Sequence, residues 1–187
     1  MLIRVWKVQK GENVYALKIF EKEKFRSQED VRGLESEIDI MKLLEHPSII
    51  RYEAVFHTSK KLCLVMEYFP FKTLRDMLDS LPQHRLPEDS AREIFSQILS
   101  GVIYCHSKSV IHRDIKAENV LVNPQTLEVR LIDFGLSTVL NSKLKEQAMI
   151  CGSYNYMAPE VVNRKGFTEQ TDIWAMGVLL YLMVSGG

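Results

Sequence analysis

His112-Arg113-Asp114-Ile115-Lys116-Ala117-Glu118-Asn119 sets an acid, a lysine and an amide within six positions. Asp133-Phe134-Gly135 follows after a stretch that reads as a short hairpin. Outward from this pair of runs lie Ala16-Leu17-Lys18 and Glu37 upstream, and Ala158-Pro159-Glu160 and Asp172-Ile173-Trp174 downstream. Taken alone, Lys18 reads as a solvated surface charge, and His112, Arg113 and Asp114 read as an ordinary polar loop.

The elements around these runs change character along the chain. Apolar residues alternate from Ile3 to Val8 and from Val14 to Phe20 around Lys10-Gly11-Glu12-Asn13, which predicts a β-hairpin. Val31, Leu34, Ile38, Met41 and Leu44 have helical spacing and predict an amphipathic helix over 27–44, ending before His46-Pro47. Strand-type runs resume at Ile49–Phe56 and Leu62–Met66, separated by the polar turn 58–61. Beyond Tyr68 the pattern turns helical, over 73–81 and 87–107, the second helix entered through Pro87-Glu88-Asp89 with acids in the dipole-favoured first turn. A small strand-rich part joined through 67–72 to a mainly helical part leaves a cleft at the junction, where ligands commonly bind.

Composition narrows the classes. With 187 residues and 46% hydrophobic content the chain can bury a core. Twenty-four basic residues balance 24 acidic ones, so net charge points to neither nucleic acid nor an anionic membrane. Cys63, Cys105 and Cys151 are odd in number and widely spaced, which argues against a disulfide framework or a zinc site and fits a reducing compartment. Cys151 as a redox sensor lacks any neighbouring cation that sequence can show. Residues 1–10 lack a signal-peptide pattern, so a cytoplasmic or nuclear location is expected. The apolar run Ala175–Val184 is about ten residues, roughly half of what spans hydrocarbon, and reads as a buried helix with no membrane role.

In its quoted runs and their order the chain resembles the eukaryotic serine/threonine protein kinase catalytic domain. The resemblance covers nearly the whole chain. It implies an α+β, two-lobed fold: residues 1–67 as an N-lobe with an antiparallel sheet and one helix, 68–72 as a hinge, and 73–187 as a mainly helical and incomplete C-lobe. The implied activity is ATP-dependent phosphorylation of serine and threonine on protein substrates, with Mg²⁺. In those terms Asp114 accepts the substrate proton, Lys116 neutralises the transferred group, and Asn119 and Asp133 ligate metal. Lys18 holds phosphates and Glu37 pairs with it from the helix, which makes the helix position a switch. The adenine would lie among Val5, Ala16, Met66 and Leu121, with backbone groups of Glu67 and Phe69 as partners. His112 is expected to pack under its loop, Asp172 to tie that loop to the last helix, and Trp174 to fill the core. Arg113 is expected to bind a phosphate carried by Ser137, Thr138 or Ser142. Glu118 resembles an acid that selects basic substrates, whereas Thr73 stands where relatives of that preference carry a second one.

Departures from the family pattern are expected to matter. Its glycine-rich loop should end at Val5, but Met1, Leu2, Ile3 and Arg4 contain no glycine. Met149 and Ile150 stand where many relatives have a phosphorylated threonine. Past Gly187 the family has further helices, including an arginine that pairs with Glu160, so an open apolar helix face and a partner upon it are expected. Two functions follow from the resemblance: an active kinase whose full chain is longer, or a truncated, inactive kinase fold serving as a binding module. The catalytic-loop wording and Cys151-Gly152-Ser153-Tyr154-Asn155-Tyr156-Met157-Ala158-Pro159-Glu160 look closest to the calcium/calmodulin-dependent group.

Overall fold

The computed structural model describes residues 4–140 and 152–186. Ser142, Met149, Ile150 and Cys151, with Met1 to Ile3, lie outside the described residues. The chain begins with strands β1 (Arg4–Lys10) and β2 (Asn13–Glu21), paired antiparallel from Arg4↔Ile19 to Lys10↔Asn13. Only two residues turn the hairpin, and Gly11 supplies the positive φ of 62° that the turn requires. Strands β3 (Tyr52–His57) and β4 (Lys61–Glu67) complete a four-stranded sheet of order β1-β2-β4-β3.

Helix α1 (Gln28–Leu43) crosses between β2 and β3 in sequence. Ser27 and Asp30 form a reciprocal capping box, which satisfies backbone donors that the first turn leaves without partners. Leu34 and Ile38 pack with Phe20, Leu62 and Leu64 of the sheet in a small core of their own. Val31, expected on the same stripe, stays 42% exposed, so helix packing starts one turn later, at Leu34.

The expected strand from Ile49 begins instead at Tyr52. Ser48 to Ile50 are drawn away by the helical part: Ile49 bridges Leu131, Leu131 N–H donates to Ser48 C=O at 2.7 Å, and Ile50 N–H donates to Leu131 C=O at 2.9 Å. A backbone cannot serve two ladders with the same groups, so the sheet strand starts after this splice.

The helical part holds α2 (Leu74–Ser80), α3 (Glu88–Ser107), the short α4 (Pro159–Val162) and α5 (Glu169–Ser185). Two small ladders accompany them: β5 (Val110–Ile111) with β8 (Thr138–Val139), and β6 (Val120–Val122) with β7 (Val129–Leu131). Ile94, Ile98 and Val102 of α3 and Ala175, Met176, Leu179 and Met183 of α5 share one large core with Val120 and Val122 of β6 and Val129 and Leu131 of β7. Among the described residues no helix is long and apolar enough to cross a membrane.

Trp174 corrects an expectation. Its neighbours at core spacing, Ala175, Leu179 and Met183, occupy the buried stripe of α5, so the indole projects sideways and is 48% exposed. Leu179→Ala is therefore expected to lower unfolding free energy by about 2–5 kcal/mol, and Trp174→Ala by less than about 1 kcal/mol. Urea denaturation of the two variants checks this, and equal losses would return Trp174 to the core.

Candidate active site

Strand β2 carries Lys18 on the face turned toward α1, and α1 meets it with Glu37 one turn after Leu34. The Lys18 ammonium lies 2.6 Å from Glu37 Oε1 and 3.0 Å from Asp133 Oδ1. Lys18 and Glu37 are each only 6% exposed. Burial opposes the charge on Lys18, but the Glu37 and Asp133 carboxylates together outweigh it and hold the amine above its ordinary value. Burial likewise opposes the Asp133 carboxylate, and Lys18 with the Gly135 N–H holds it below its ordinary 3.8.

Asp114 sits below this cluster with both oxygens engaged. Oδ1 accepts from the Ser153 N–H at 3.1 Å and from its hydroxyl at 3.0 Å. Oδ2 accepts from Asn119 Nδ2 at 2.9 Å and pairs with Lys116 at 2.7 Å. The Lys116 ammonium also donates to Ser153 Oγ at 2.8 Å. Asn119 gives a second amide bond to the Asp114 carbonyl at 2.9 Å. With its NH₂ so committed, the Asn119 carbonyl oxygen turns the other way and is left as a hard ligand atom.

The loop bearing Asp114 is held from beneath by α5. Asp172, buried, accepts the His112 N–H and the Arg113 N–H, each at 2.9 Å, and contacts His106 Nε2 at 2.9 Å. These bonds fix the loop as expected of Asp172. Arg113 and Asp133 both have positive φ, 67° and 63°, a conformation that costs a non-glycine residue about 1–2 kcal/mol. The strain persists because the Asp172 and Lys18 contacts over-determine it. His112 is buried, and burial pushes its imidazole below the ordinary value. The neutral ring accepts from Asp114 N–H at Nδ1 and donates from Nε2 to the Ile132 carbonyl at 3.3 Å, so it packs under the loop.

A cavity of about 360 Å³ opens between sheet and helices. All of Val5, Ala16, Lys18, Glu37, Met66, Glu67, Phe69, Asn119, Leu121 and Asp133 line it. The Glu67 carboxylate is taken by Arg130 at 3.0 Å and by the Arg51 N–H at 3.2 Å. The Phe69 ring packs edge-on against Phe71 and beneath the Arg130 guanidinium. That leaves backbone groups as what these two residues offer the cavity. Asp114 is bonded to Asn119 of its lining, and Lys116 to Asp114.

Several residues take other roles than the sequence suggested. Ser137 is buried with its hydroxyl donating to the His112 carbonyl, so it is not presented to a phosphate donor, and Thr138 is half-buried and pairs with Ile111 in β8. The Arg113 guanidinium stacks on Phe167 and donates to the Leu136 carbonyl. Thr73 caps α2 through a box with Asp76, which accounts for a hydroxyl there without any substrate. Ser153 was missed altogether. Its only sequence signal was the preceding Gly152, whose φ of 98° and 2.7 Å approach of a would-be Cβ to the Arg113 carbonyl exclude any side chain.

The sequence matches the family model described as "Protein kinase domain" over residues 4–187. It is similar to the SNF1-related protein kinase catalytic subunit alpha KIN12 of Arabidopsis thaliana, 40% identical over 173 residues that make up 91% of this chain and 34% of that protein. The serine/threonine protein kinase OSK3 of Oryza sativa subsp. indica is 42% identical over 174 residues, 91% of this chain and 33% of its own length. NUAK family SNF1-like kinase 2 of Homo sapiens is 41% identical over 172 residues, 91% and 27% respectively. The chain thus spans between 27% and 34% of the length of these relatives. It belongs to the protein kinase family, and its SNF1-type relatives are compatible with the calcium/calmodulin-dependent grouping.

The cluster makes stability depend on pH in a defined sense. Lowered in the fold, the Asp133 carboxylate contributes stability above its ordinary 3.8 that is lost as pH falls through its lower folded value. Raised, the Lys18 amine contributes below its ordinary 10.5 and is lost only as pH rises beyond that. The difference in melting temperature between the protein and its Asp133→Asn variant should therefore be flat from about pH 5 to about pH 9 and shrink below 3.8. Scanning calorimetry across this range checks it, and a difference that persists in acid would contradict the pairing.

Proposed function

We propose that this chain is the ATP-dependent catalytic part of a serine/threonine protein kinase, with residues 1–67 as the smaller lobe, 68–72 as hinge and 73–187 as the larger. The observation that carries the reading is the assembled Lys18–Glu37–Asp133 cluster on one wall of a cavity that Asn119 also lines, with Asp114 bonded to Asn119 and Lys116 to Asp114.

In this reading the adenine lies between Val5 and Ala16 above and Leu121 below, against Met66, with backbone groups of Glu67 and Phe69 toward its edge. Lys18, kept charged, holds the α/β-phosphates. Mg²⁺ held by Asp133 and Asn119 would neutralise charge on the phosphates. Among the described residues no group of three or more acids, histidines or cysteines is gathered for a metal, which suits an ion that takes one or two protein oxygens and completes its shell with phosphate and water.

Asp114 orients the substrate hydroxyl and accepts its proton as the oxygen bonds to the γ-phosphorus. The bond from that phosphorus to the β-phosphate oxygen breaks, leaving ADP and a phosphorylated protein. Lys116 offsets charge on the group in transit. Ser153 keeps Asp114 and Lys116 in register by bonding both. A Lys two residues after the catalytic acid favours serine and threonine as acceptors, as does the printed name of the OSK3 relative.

The groove of about 670 Å³ beside α5, lined by Glu160, Ile173, Trp174 and Tyr181, would take a partner helix that brings a cation to Glu160. The free thiols Cys63 and Cys105 suit a cytoplasmic or nuclear setting.

Phosphate transfer from Mg-ATP to a degenerate Ser/Thr peptide library tests the reading, with the protein and its Asp114→Asn variant matched for folded concentration by circular dichroism. Transfer should fall by about 10²–10⁴ in the variant. A folded parent protein that transfers nothing, or a variant as active as the parent, would contradict it.

A further inference from the structure

Residues 68–72, which join the sheet to the helical part, have no helix or strand of their own, so contacts from elsewhere set where their backbone lies. Beyond their far end the chain is tied to β6: the Lys72 carbonyl accepts the Val122 N–H at 3.0 Å, and Thr73 bridges Leu121. Before their near end stands Glu67, whose N–H donates to the Arg51 carbonyl at 2.9 Å. Between these ties the Lys7 ammonium lies over the Tyr68 ring from the sheet, and Arg130 of β7 reaches in from the helical part.

Arg130 holds two residues of this connection at once. Its Nε donates to Glu67 Oε1 at 3.0 Å, and its guanidinium carbon stands 4.9 Å from the centre of the Phe69 ring. Nη1 donates to the Val129 carbonyl at 3.0 Å and pairs with Glu128 at 2.8 Å, so the guanidinium plane is fixed from two sides. The Glu67 carboxylate is fixed in turn, its Oε2 accepting the Arg51 N–H at 3.2 Å. In the β6–β7 ladder Arg130 stands opposite Leu121, which lines the cavity together with Glu67 and Phe69. One side chain thus runs from the strand pair that carries Leu121 to the two residues whose backbone groups face the cavity. A point charge would serve for the ion pair alone, whereas the fork and plane of an arginine also set orientation.

We propose that Arg130 is a positioning residue for the nucleotide base: it holds the backbone of Glu67 and Phe69 at a set place relative to Leu121, so that the base meets hydrogen-bonding groups already in position. This rests on the reading of the cavity as the nucleotide site, and it adds a residue that does not line the cavity and touches no part of the ligand. Preorganised groups bind more tightly than groups that must be ordered by the ligand, and a connection without secondary structure has the most ordering to lose. The phosphates lie with Lys18 and Asp133, away from this contact, so what Arg130 governs is the base-dependent part of the affinity.

Calorimetric titration with two probes, adenosine and Mg-ADP, tests it on the protein and on Arg130→Met, Arg130→Lys and Lys18→Met. Arg130→Met should weaken both probes by the same factor, about 10-fold, with an unchanged number of sites. Arg130→Lys keeps the charge beside Glu67 but not the plane over Phe69, and should fall between the parent and Arg130→Met; should the Met variant not fold, this one carries the test. Lys18→Met should weaken Mg-ADP and leave adenosine as it was. An Arg130→Met protein that melts earlier yet binds adenosine like the parent overturns the proposal, because the side chain then serves the fold alone. Arg130→Lys binding as the parent does overturns it as well, and so does a loss confined to Mg-ADP. These outcomes leave the nucleotide site standing, whereas a folded parent that binds neither probe removes the site and the role of Arg130 together.

Discussion

The ion pair between Lys18 and Glu37 is the constraint on which the rest of the structure depends. Both groups are withdrawn from water, and withdrawing an ion costs several kcal/mol even after relaxation. A contact of 2.6 Å and a second carboxylate at 3.0 Å offset that penalty. Removing one partner leaves a buried charge uncompensated, at about 3–5 kcal/mol, whereas an apolar pair of equal volume would fold as well or better. The pair is thus poorly explained by stability. What it accomplishes is geometric: it ties the sheet, through β2, to α1 and to Asp133, which belongs to the helical part.

A second tie runs beneath the first. Asp172 on α5 takes the two N–H groups that open the loop bearing Asp114, and Asp114 then meets Asn119, Lys116 and Ser153. Arg113 and Asp133, two of the residues in left-handed backbone geometry, each lie next to one of these ties. Local strain at the site is held by contacts whose other ends are in the cores, which is how a rigid scaffold keeps reacting groups in place. The Ser48–Leu131 splice joins the sheet to the helical part, so the two are tied by a backbone ladder as well as by the covalent chain after Glu67.

Much of this was legible in the sequence because it was written locally. The β1–β2 hairpin follows from alternation around Gly11, and α1 from the helical spacing of Leu34, Ile38 and Met41. The ten residues that the resemblance assigned to nucleotide and metal line one cavity, because motif order along a chain fixes which strand and loop each occupies. What escaped was set by tertiary competition. Ile49 has strand propensity, but Leu131 claimed its neighbours' hydrogen bonds. Trp174 has core propensity, but α5 has a single buried stripe and Leu179 and Met183 filled it. Ser137 looked available as a hydroxyl, and only folding showed it under His112. Ser153 is 39 residues from Asp114, and nothing in its spacing foretells that it returns to that carboxylate.

The claim that one buried pair couples helix position to the nucleotide site is tested most directly by a double-mutant cycle on Lys18 and Glu37. Mg-ADP affinity would be measured by calorimetry for the protein, Lys18→Met, Glu37→Gln and the double variant. Each single change should weaken binding by about 10-fold or more, and the double variant should be no weaker than the worse single one. Losses that simply add, or a Glu37→Gln variant that binds as the parent does, would show that the two side chains act separately and that α1 does not govern the site.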